Sequence, residues 1–293
     1  MKMTFQKLVI GTSMAIGVSA LATVPAEAGT LTGATIGGTA ASDYLVYDSN
    51  ATNTFTVANT SANVQKVLDG NATNPTGNVE LRASSEGVGF DFTKNTSLTG
   101  QIGGKSIILS SLTEADWFST GSGISKTYGA NNFANTWFKQ FANAAGLTAN
   151  SIPLAYNAFF GIKGFERSSD PNISYVNQND ITGDIKIGLA GHLNLKEYYA
   201  PLLGTMGSLL KNGFQASEVV KVTYNDKTDF LYSFSATATN LKEVTDAKSH
   251  SGNYEVSIKG VPPAAVPEPS VMLGLLGVAG VFATQRKIKK ASI

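Results

Sequence analysis

The sequence predicts an α+β fold: a single mixed domain with short, mainly antiparallel strands and about three amphipathic helices, flanked by an N-terminal signal peptide and a C-terminal hydrophobic helix. Apolar and polar residues alternate from residue 30 to about 116 and again after residue 213, the period of half-buried strands. Between these regions the apolar spacing changes to three and four residues, the period of a helix. One apolar stretch follows the first basic residues of the chain, and another precedes a basic cluster at its end.

Four short runs in the first half of the chain predict strands, at residues 44–47, 54–57, 88–92 and 107–109. They are rich in Val, Ile, Leu, Tyr, Phe and Thr, and clusters of Asn, Gly, Thr and Pro such as residues 71–77 separate them. The N-terminal half is therefore expected to be mostly β.

Two helices are predicted in the middle of the chain. The first places Phe133, Trp137 and Phe141 four residues apart, and Gly146 is well placed to end it. The second begins near Ser151 and has a proline in its first turn, where the missing N–H group is tolerated.

A third helix is predicted over residues 195–210, where leucine, tyrosine and methionine keep the 3.6-residue period. Asn194 and Glu197 have the spacing of a capping box at its start. Pro201 lies inside this pattern and is expected to kink or divide the helix, because proline removes a backbone hydrogen bond.

After residue 213 the pattern returns to β. Residues 220–224 and 230–234 alternate around the polar loop 225–228, which predicts a hairpin. Residues 253–259 form a last predicted strand. Strands, then helices, then strands favour one α+β domain, and no repeat of fixed period indicates a solenoid or propeller.

Composition excludes several classes of function. Arginine and lysine number 22 against 21 acidic residues, and six of the cations lie close to the two ends. The body is therefore slightly acidic and lacks the basic face that would neutralise nucleic-acid phosphates. The chain has no cysteine, which excludes disulfides, thiolate metal sites and cysteine nucleophiles. The domain must be stabilised by packing alone, as in many exported bacterial proteins.

The N-terminus has the features of a signal peptide. Lys2 and Lys7 precede an apolar stretch rich in small residues, and Ala26 and Ala28 supply the small-x-small pattern that signal peptidase reads. We expect cleavage after Ala28. The alternatives are a buried N-terminal helix or a retained anchor.

The C-terminus combines a proline-rich motif, an apolar run and a basic cluster. The motif is Val266, Pro267, Glu268, Pro269 and Ser270, and the basic cluster is Arg286, Lys287, Lys289 and Lys290. By the positive-inside rule these cations stay on the cytoplasmic side, so the body lies outside. As a helix the 14 apolar residues 271–284 rise about 21 Å, short of the roughly 30 Å hydrocarbon core, which suits transient insertion better than permanent anchoring.

These three features, in this order, resemble the PEP-CTERM sorting signal over about the last 28 residues. The resemblance implies recognition by exosortase, a membrane-embedded protease of Gram-negative bacteria, and typically of species that make extracellular polysaccharide. It also implies removal of the tail near Pro267, Glu268 and Pro269, where two prolines exclude a helix. The alternative is a stiff spacer before a single-pass anchor.

Three central sequence segments, at residues 169–177, 188–192 and 213–222, resemble a family of cyanobacterial PEP-CTERM proteins with an uncharacterised ectodomain. This resemblance implies a cell type and no activity.

Two loops contain fragments of ligand-binding motifs. Residues 103–106 resemble the end of a phosphate-binding loop, but Thr99 stands where that motif requires glycine, so a tight turn is favoured. A weak calcium site is the alternative to a turn between two strands at residues 177–184. Its candidate ligands are Asn177, Asn179, Asp180 and Asp184.

Hydrolysis would require two carboxyl groups roughly 5 to 10 Å apart. Asp170 or Asp180 could pair with Glu166 or Asp184 as acid and base. The chain has two histidines, His192 and His250, a residue type that often acts as a catalytic base. No nucleophile elbow accompanies them in the sequence, and two histidines cannot make a three-histidine zinc site. We expect no catalytic residues and no cofactor. Most aromatic residues of the body are expected to pack in the core, and one or two to face a ligand.

The sequence thus predicts an exported cell-surface or extracellular-matrix protein with a structural or glycan-binding role. Its partners would be signal peptidase and exosortase during export, transiently the membrane, and extracellular polysaccharide, with no nucleic acid. The alternative is a secreted glycan hydrolase that uses paired carboxylates. The predicted segments are the signal peptide at 1–28, the exported domain at 29–260, the proline-rich linker at 261–270, and the hydrophobic helix with its basic tail at 271–293.

Overall fold

The computed structural model describes residues 29–263, which form sixteen strands, five α-helices and three short 3-10 helices. The strands are β1 (Gly29–Thr30), β2 (Thr32–Gly37), β3 (Tyr44–Ser49), β4 (Asn53–Val57), β5 (Gly77–Leu81), β6 (Ser97–Ile102), β7 (Lys105–Ser110), β8 (Ser119–Thr120), β9 (Gly123–Ile124), β10 (Asn172–Gln178), β11 (Asp184–Gly191), β12 (Val220–Tyr224), β13 (Lys227–Leu231), β14 (Thr237–Ala238), β15 (Lys242–Glu243) and β16 (Gly252–Lys259). The α-helices are α1 (Ser61–Val67), α2 (Glu114–Phe118), α3 (Phe133–Ala144), α4 (Ile152–Gly161) and α5 (Lys196–Leu203). The 3-10 helices span Ala149–Ser151, Glu166–Ser168 and Gly204–Leu209.

Two sheets share one apolar core. The larger sheet has the strand order β14-β16-β11-β10-β5-β3-β4-β15, with β1 also paired to β10, and the smaller has the order β13-β12-β7-β6-β2. Every pair in the two sheets is antiparallel except β15 with β4, so the predicted mixed, mainly antiparallel fold is confirmed. Alternate residues of both sheets, such as Val79, Ile187 and Leu109, meet in the core together with the apolar face of α1.

A second core is built from aromatic side chains of α2, α3 and α4. Phe165 lies at its centre, with ring centroids 5.2 Å from Trp117 and from Phe159 and 5.1 Å from Phe118. Aromatic pairs at these separations stabilise a core beyond the area they bury. The Trp117 indole N–H donates to the Ser169 hydroxyl at 2.7 Å, so this core also holds the chain just before β10.

The helices differ in part from the predicted ones. The helices at 133–145 and after residue 151 are confirmed, and Gly146 follows the first with φ +81°. The predicted third helix is shorter: α5 ends at Leu203, after Pro201, and a 3-10 helix continues it. The predicted capping box is wrong, because the side-chain oxygen of Asn194, Oδ1, accepts from the Gly213 N–H group. The two short helices α1 and α2, capped by threonine, carry too few apolar positions to show a period.

The predicted strand at residues 88–92 is wrong. Val88 is fully exposed, and the segment is a series of turns. Gly89 has φ +81°, and the Asp91 carboxylate accepts from the N–H group of Thr93. The turn preferences of glycine and aspartate therefore decide the structure of this segment in spite of its apolar alternation. The Arg82 guanidinium covers the Phe90 ring, 4.3 Å from the ring centroid.

The hairpin between β12 and β13 is confirmed, with a loop shorter than predicted. Tyr224 pairs with Lys227, so the connection is the two residues Asn225 and Asp226. Both have positive φ, 50° and 61°, as a type I′ turn requires.

The face of the larger sheet that points away from the smaller sheet is polar. The Asn253 amide donates to the Tyr175 hydroxyl at 3.2 Å, and that hydroxyl donates to Glu255 at 3.0 Å. The Tyr175 ring lies over Gly188, where an added Cβ atom would come within 2.2 Å of it. The glycine therefore lets a large ring lie flat on the sheet.

Gly188→Ala should destabilise the protein by roughly 1–3 kcal/mol, because overpacking forces the Tyr175 ring or the strand to move. Gly121→Ala is the matched control, since nothing lies within 4 Å of the added methyl group and its φ is not positive. Urea denaturation of both variants measures the effect. Equal midpoints for the two would contradict this account of the sheet face.

Candidate functional site

A cavity of about 230 Å³ lies where the polar face of the larger sheet meets the aromatic helical core. Its walls come from segments that are far apart in the chain: β3, β5, the chain entering β10, the end of β11, α5, the chain entering β12, and the loop 243–250. We call it the acidic cavity, because its walls include the six carboxylate side chains of Glu80, Glu86, Asp170, Glu218, Glu243 and Asp246.

Asp170 lines the acidic cavity and is only 4% exposed. The chain beside it is fixed, because the preceding residue, Ser169, accepts the Trp117 hydrogen bond and the Pro171 carbonyl accepts from the Leu81 N–H group at 3.1 Å. The Ser85 hydroxyl donates to one Asp170 oxygen, Oδ2. Asp170 is therefore held in place by its neighbours in the chain and by a loop after β5.

Glu218 and Glu80 reach the same cavity from two other elements. One oxygen of Glu218, Oε2, accepts from the backbone N–H group of Asn172 at 3.1 Å and from its side-chain amide at 3.2 Å. Glu80 lies on β5 opposite Asn172 and accepts from the Tyr47 hydroxyl at 3.1 Å. Asn172 thus connects the acids of two different segments.

Two buried oxygen atoms in this group have no hydrogen-bond partner among residues 29–263. They are Asp170 Oδ1 and Asn172 Oδ1, on side chains that are 4% and 7% exposed. An unpaired buried polar atom costs about 1–3 kcal/mol. Because both residues line the acidic cavity, a ligand with donor groups could satisfy them.

The three inner acids have raised pKa values. Burial raises the pKa of Asp170 well above its usual range, and the Glu218 carboxyl adds to this effect. Burial and the Glu80 carboxyl likewise raise the pKa of Glu218. Burial raises the pKa of Glu80 to about 7, although the Tyr47 hydrogen bond acts in the opposite direction. The raised pKa values favour the protonated form of these carboxyl groups, which can donate as well as accept.

One wall of the acidic cavity is an aromatic and basic group. The Arg167 guanidinium donates to the Tyr198 hydroxyl at 2.7 Å and pairs with Glu86 at 3.0 Å, and Tyr198 also donates to Glu86. The Tyr198 and His192 rings lie 4.9 Å apart at 32°. Tyr198 is half-buried, so one aromatic side chain of the cavity wall is partly exposed.

The two histidines are uncharged at neutral pH. Burial lowers the pKa of His192, and it lowers the pKa of His250 to about 3. His250 is 5% exposed, and its Nδ1 atom shares a hydrogen bond with the Thr54 hydroxyl at 2.7 Å. Both lie outside the strands and helices, and both line the acidic cavity.

Of the acids considered for hydrolysis, the structure places Asp170 in the cavity. Glu166 is not among the lining residues, and Asp180 and Asp184 belong to the connection between β10 and β11. The partners that Asp170 does meet are Glu218 and Glu80, which sequence reasoning missed. The available signals were Glu218, an acid two residues before the strand at 220–224, and Glu80, an acid inside an apolar strand.

The calcium candidates lie in and beside the turn between β10 and β11: Asn177 is in β10, and Asp184 is the first residue of β11. The Asn179 oxygen accepts from the backbone N–H groups of Ile181 and Thr182, both at 2.9 Å. Asp184 accepts from the Lys259 ammonium at 2.9 Å, and the Asn177 amide donates to the Gly70 carbonyl at 3.2 Å. Asp180 lies in the same turn.

The phosphate-loop fragment at 103–106 is a hairpin turn. Ile102 pairs with Lys105, so Gly103 and Gly104 make the connection between β6 and β7. Both glycines have positive φ, and Gly103 leaves room for the Gln178 side chain.

Within residues 29–263, no group of three acidic or histidine side chains is arranged to hold a metal ion, and none of the helices is long and apolar enough to cross a bilayer. The terminal predictions lie outside the described residues. They are the signal peptidase site (Ala26, Ala28), the sorting motif (Val266, Pro267, Glu268, Pro269, Ser270) and the topology signal (Arg286, Lys287, Lys289, Lys290).

Comparison of the chain with protein-family models, with curated proteins and with solved structures gives no match.

The raised pKa of Glu80 predicts a pH-dependent stability. Below pH 4.5 both the folded and the unfolded chain hold the proton, and between 4.5 and about 7 only the folded chain does. The free energy of unfolding therefore falls as pH rises through this window, by about 3 kcal/mol from this group. Glu80→Gln cannot titrate but keeps an acceptor for Tyr47. Chemical denaturation from pH 4 to 8 should show the free energy of unfolding of the variant increasing relative to that of the wild type by about that amount. Parallel curves of unfolding free energy against pH for the two proteins would contradict this prediction.

Proposed function

We propose that this chain is an exported cell-surface or extracellular-matrix protein whose acidic cavity binds a small polyhydroxylated ligand, such as the terminal sugar of a glycan. The observation that carries this proposal is the pair of buried, unpartnered oxygens of Asp170 and Asn172 at the cavity. A soluble domain rarely keeps such atoms without a partner. Ligand hydroxyls would supply the donors.

The remaining walls suit a sugar. Protonated carboxyls and hydroxyls both donate and accept, as sugar hydroxyls do. Tyr198 and His192 give one wall an apolar surface against which a sugar ring can pack. Pockets for drug-sized ligands have volumes of about 300–1,000 Å³. The cavity volume of about 230 Å³ therefore favours a smaller ligand.

Export is proposed from the two ends of the sequence, and one structural feature supports the expected cut after Ala28. Gly29, which would become the N-terminal residue, pairs with Gln178 in the larger sheet. An added Cβ atom on Gly29 would lie 3.3 Å from Asp180 Oδ1, a buried oxygen with no partner among the described residues. Cleavage would place the new ammonium group within roughly 6 Å of that carboxylate, which would stabilise the mature end.

Mass spectrometry of the mature protein tests the export proposal. In a host that has exosortase, we expect an N-terminus at Gly29 and loss of the tail near Pro267, Glu268 and Pro269. Replacing Glu268 by Ala should leave the N-terminal cut unchanged and retain the tail. A cytosolic protein with both ends intact would overturn the proposal.

A rim substitution tests binding at the acidic cavity. Thr245 is exposed and lines the cavity, so Thr245→Trp should close the entrance and reduce glycan affinity at least tenfold. Val244→Trp is the matched control, because Val244 is 55% exposed and is not part of the lining. Glycan-array screening followed by calorimetry measures both. No glycan binding by the wild type, or equal binding by the two variants, would contradict the site.

A secreted glycan hydrolase is the second candidate. Protonated Asp170 and Glu218 share the cavity with Glu86, which forms an ion pair with Arg167, so potential acid and base groups occur together. The binding experiment separates the two functions. Intact glycan recovered after incubation supports binding alone, whereas shortened products that disappear with Thr245→Trp support hydrolysis.

A further inference from the structure

The acidic cavity has far more acidic than basic side chains. Six acidic side chains line it, and Arg167 is its only cationic side chain among the described residues. That guanidinium already has three partners: it pairs with Glu86, donates to the Tyr198 hydroxyl and donates to the Ile162 carbonyl at 3.1 Å. His192 and His250 are neutral at pH 7 and add no positive charge.

Glu243 and Asp246 have several donors of their own. Glu243 accepts from the backbone N–H group of Thr245 at 2.7 Å, and Asp246 accepts from that of Lys248 at 2.8 Å. Among the inner acids, Glu218 accepts from both N–H groups of Asn172, whereas Asp170 receives only the Ser85 hydroxyl and Glu80 only the Tyr47 hydroxyl from the described residues. The shortage of donors is therefore greatest in the part of the cavity around Asp170 and Glu80.

The unpartnered oxygens lie in this inner part. The Asn172 amide group donates to Glu218, and the backbone N–H group of Asn172 donates to the same Glu218 oxygen, which fixes that oxygen as an acceptor. The Asn172 side-chain oxygen is left without a donor, as is Asp170 Oδ1. Two unfilled acceptors beside acidic groups call for a group that only donates.

We infer that the ligand carries a primary ammonium group beside its hydroxyls, as an unacetylated amino sugar does, and that this group binds Asp170, Asn172 and Glu218. The inference rests on the proposed function and specifies its ligand class.

An ammonium group fits this position better than a hydroxyl or a metal ion. It has three donors and no acceptor, which matches an excess of buried acceptors. It also supplies the positive charge that the inner acids lack, whereas a hydroxyl supplies none. No described group of three acidic or histidine side chains is arranged for a metal ion, so an organic cation is favoured.

Binding of a cation must displace protons from the cavity. A nearby positive charge favours the ionised form of Asp170, Glu218 and Glu80, whose pKa values burial raises. The other charged groups that face the site are Glu86, Glu243, Asp246 and Arg167. Affinity for the ammonium form of the ligand should therefore increase as pH rises from 5 to 6.5, a range in which an amino sugar keeps its own proton, and protons should be released to the buffer.

Calorimetry with three simple probes tests the inference: glucosamine, N-acetylglucosamine and glucose, each titrated at pH 5, 5.75 and 6.5, where the amine keeps its proton, in two buffers with different ionisation enthalpies. We expect glucosamine to bind at least tenfold more tightly than glucose at pH 6.5, and the acetylated sugar to lose this advantage. The apparent enthalpy for glucosamine should differ between buffers, because protons are released.

Glu218→Gln and Asp170→Asn should each remove most of the preference for glucosamine. Asp184→Asn is the control, because Asp184 is an acid outside the cavity. If Asp170→Asn fails to fold, the Glu218 variant and the buffer dependence of the wild type still decide the question.

The outcomes separate the two proposals. Equal affinity for glucose and glucosamine overturns the amine inference and leaves glycan binding in place. Binding of calcium chloride in competition with glucosamine overturns it in favour of a metal site. No binding of any of these sugars, or of any glycan on the array, overturns both.

Discussion

The segment of residues 168–172 is the constraint on which the rest of the structure depends. Its carbonyl groups accept hydrogen bonds from the backbone N–H groups of Leu81, Leu112 and Val219, at 2.9–3.1 Å, and its second residue accepts from the Trp117 indole. The larger sheet, the smaller sheet and the aromatic helical core therefore all contact one short stretch of chain. The acidic cavity lies beside this stretch, so the two cores fix the position of the Asp170 carboxyl group.

Burying three acids close together works against stability. Desolvation of each carboxylate and repulsion between neighbours raise their pKa values, which favours the protonated form. An apolar side chain of similar size would avoid both costs. Residues that conflict with the stability of their surroundings are expected at functional sites, and Asp170 is the clearest case here.

The sequence was sufficient where one local rule determined the structure. The period of Phe133, Trp137 and Phe141 predicted α3, and alternation around Asn225 predicted the hairpin. The same reasoning failed at residues 88–92, where glycines and an aspartate turn compete with a short alternating run. The terminal export signals are local patterns too, and they remain predictions.

The acidic cavity could not be predicted in this way, because its acids come from segments with no local relation. Glu218 is 46 residues from Asn172 in the chain and contacts it through two hydrogen bonds. Glu80 reaches the same residue through the antiparallel register of β5 with β10. Only the tertiary packing brings them together, and a single sequence shows carboxyl groups without their distances.

The proposed export and the chemistry of the cavity would be connected through pH. Outside the cytoplasm a protein meets the pH of its surroundings, which need not be buffered near neutrality. The ligand-free fold loses stability as pH rises between 4.5 and about 7, because Glu80 must give up a proton that it holds in the folded state. The proposed ammonium ligand would oppose this loss, since a nearby positive charge lowers the pKa of the inner acids toward their unfolded values. Its stabilising effect at each pH would be set by the ligand concentration relative to the dissociation constant, and it would grow with pH as long as the ligand keeps its own proton. The same carboxyl groups that weaken the empty protein would thus make the stability of the complex less dependent on pH than that of the ligand-free fold.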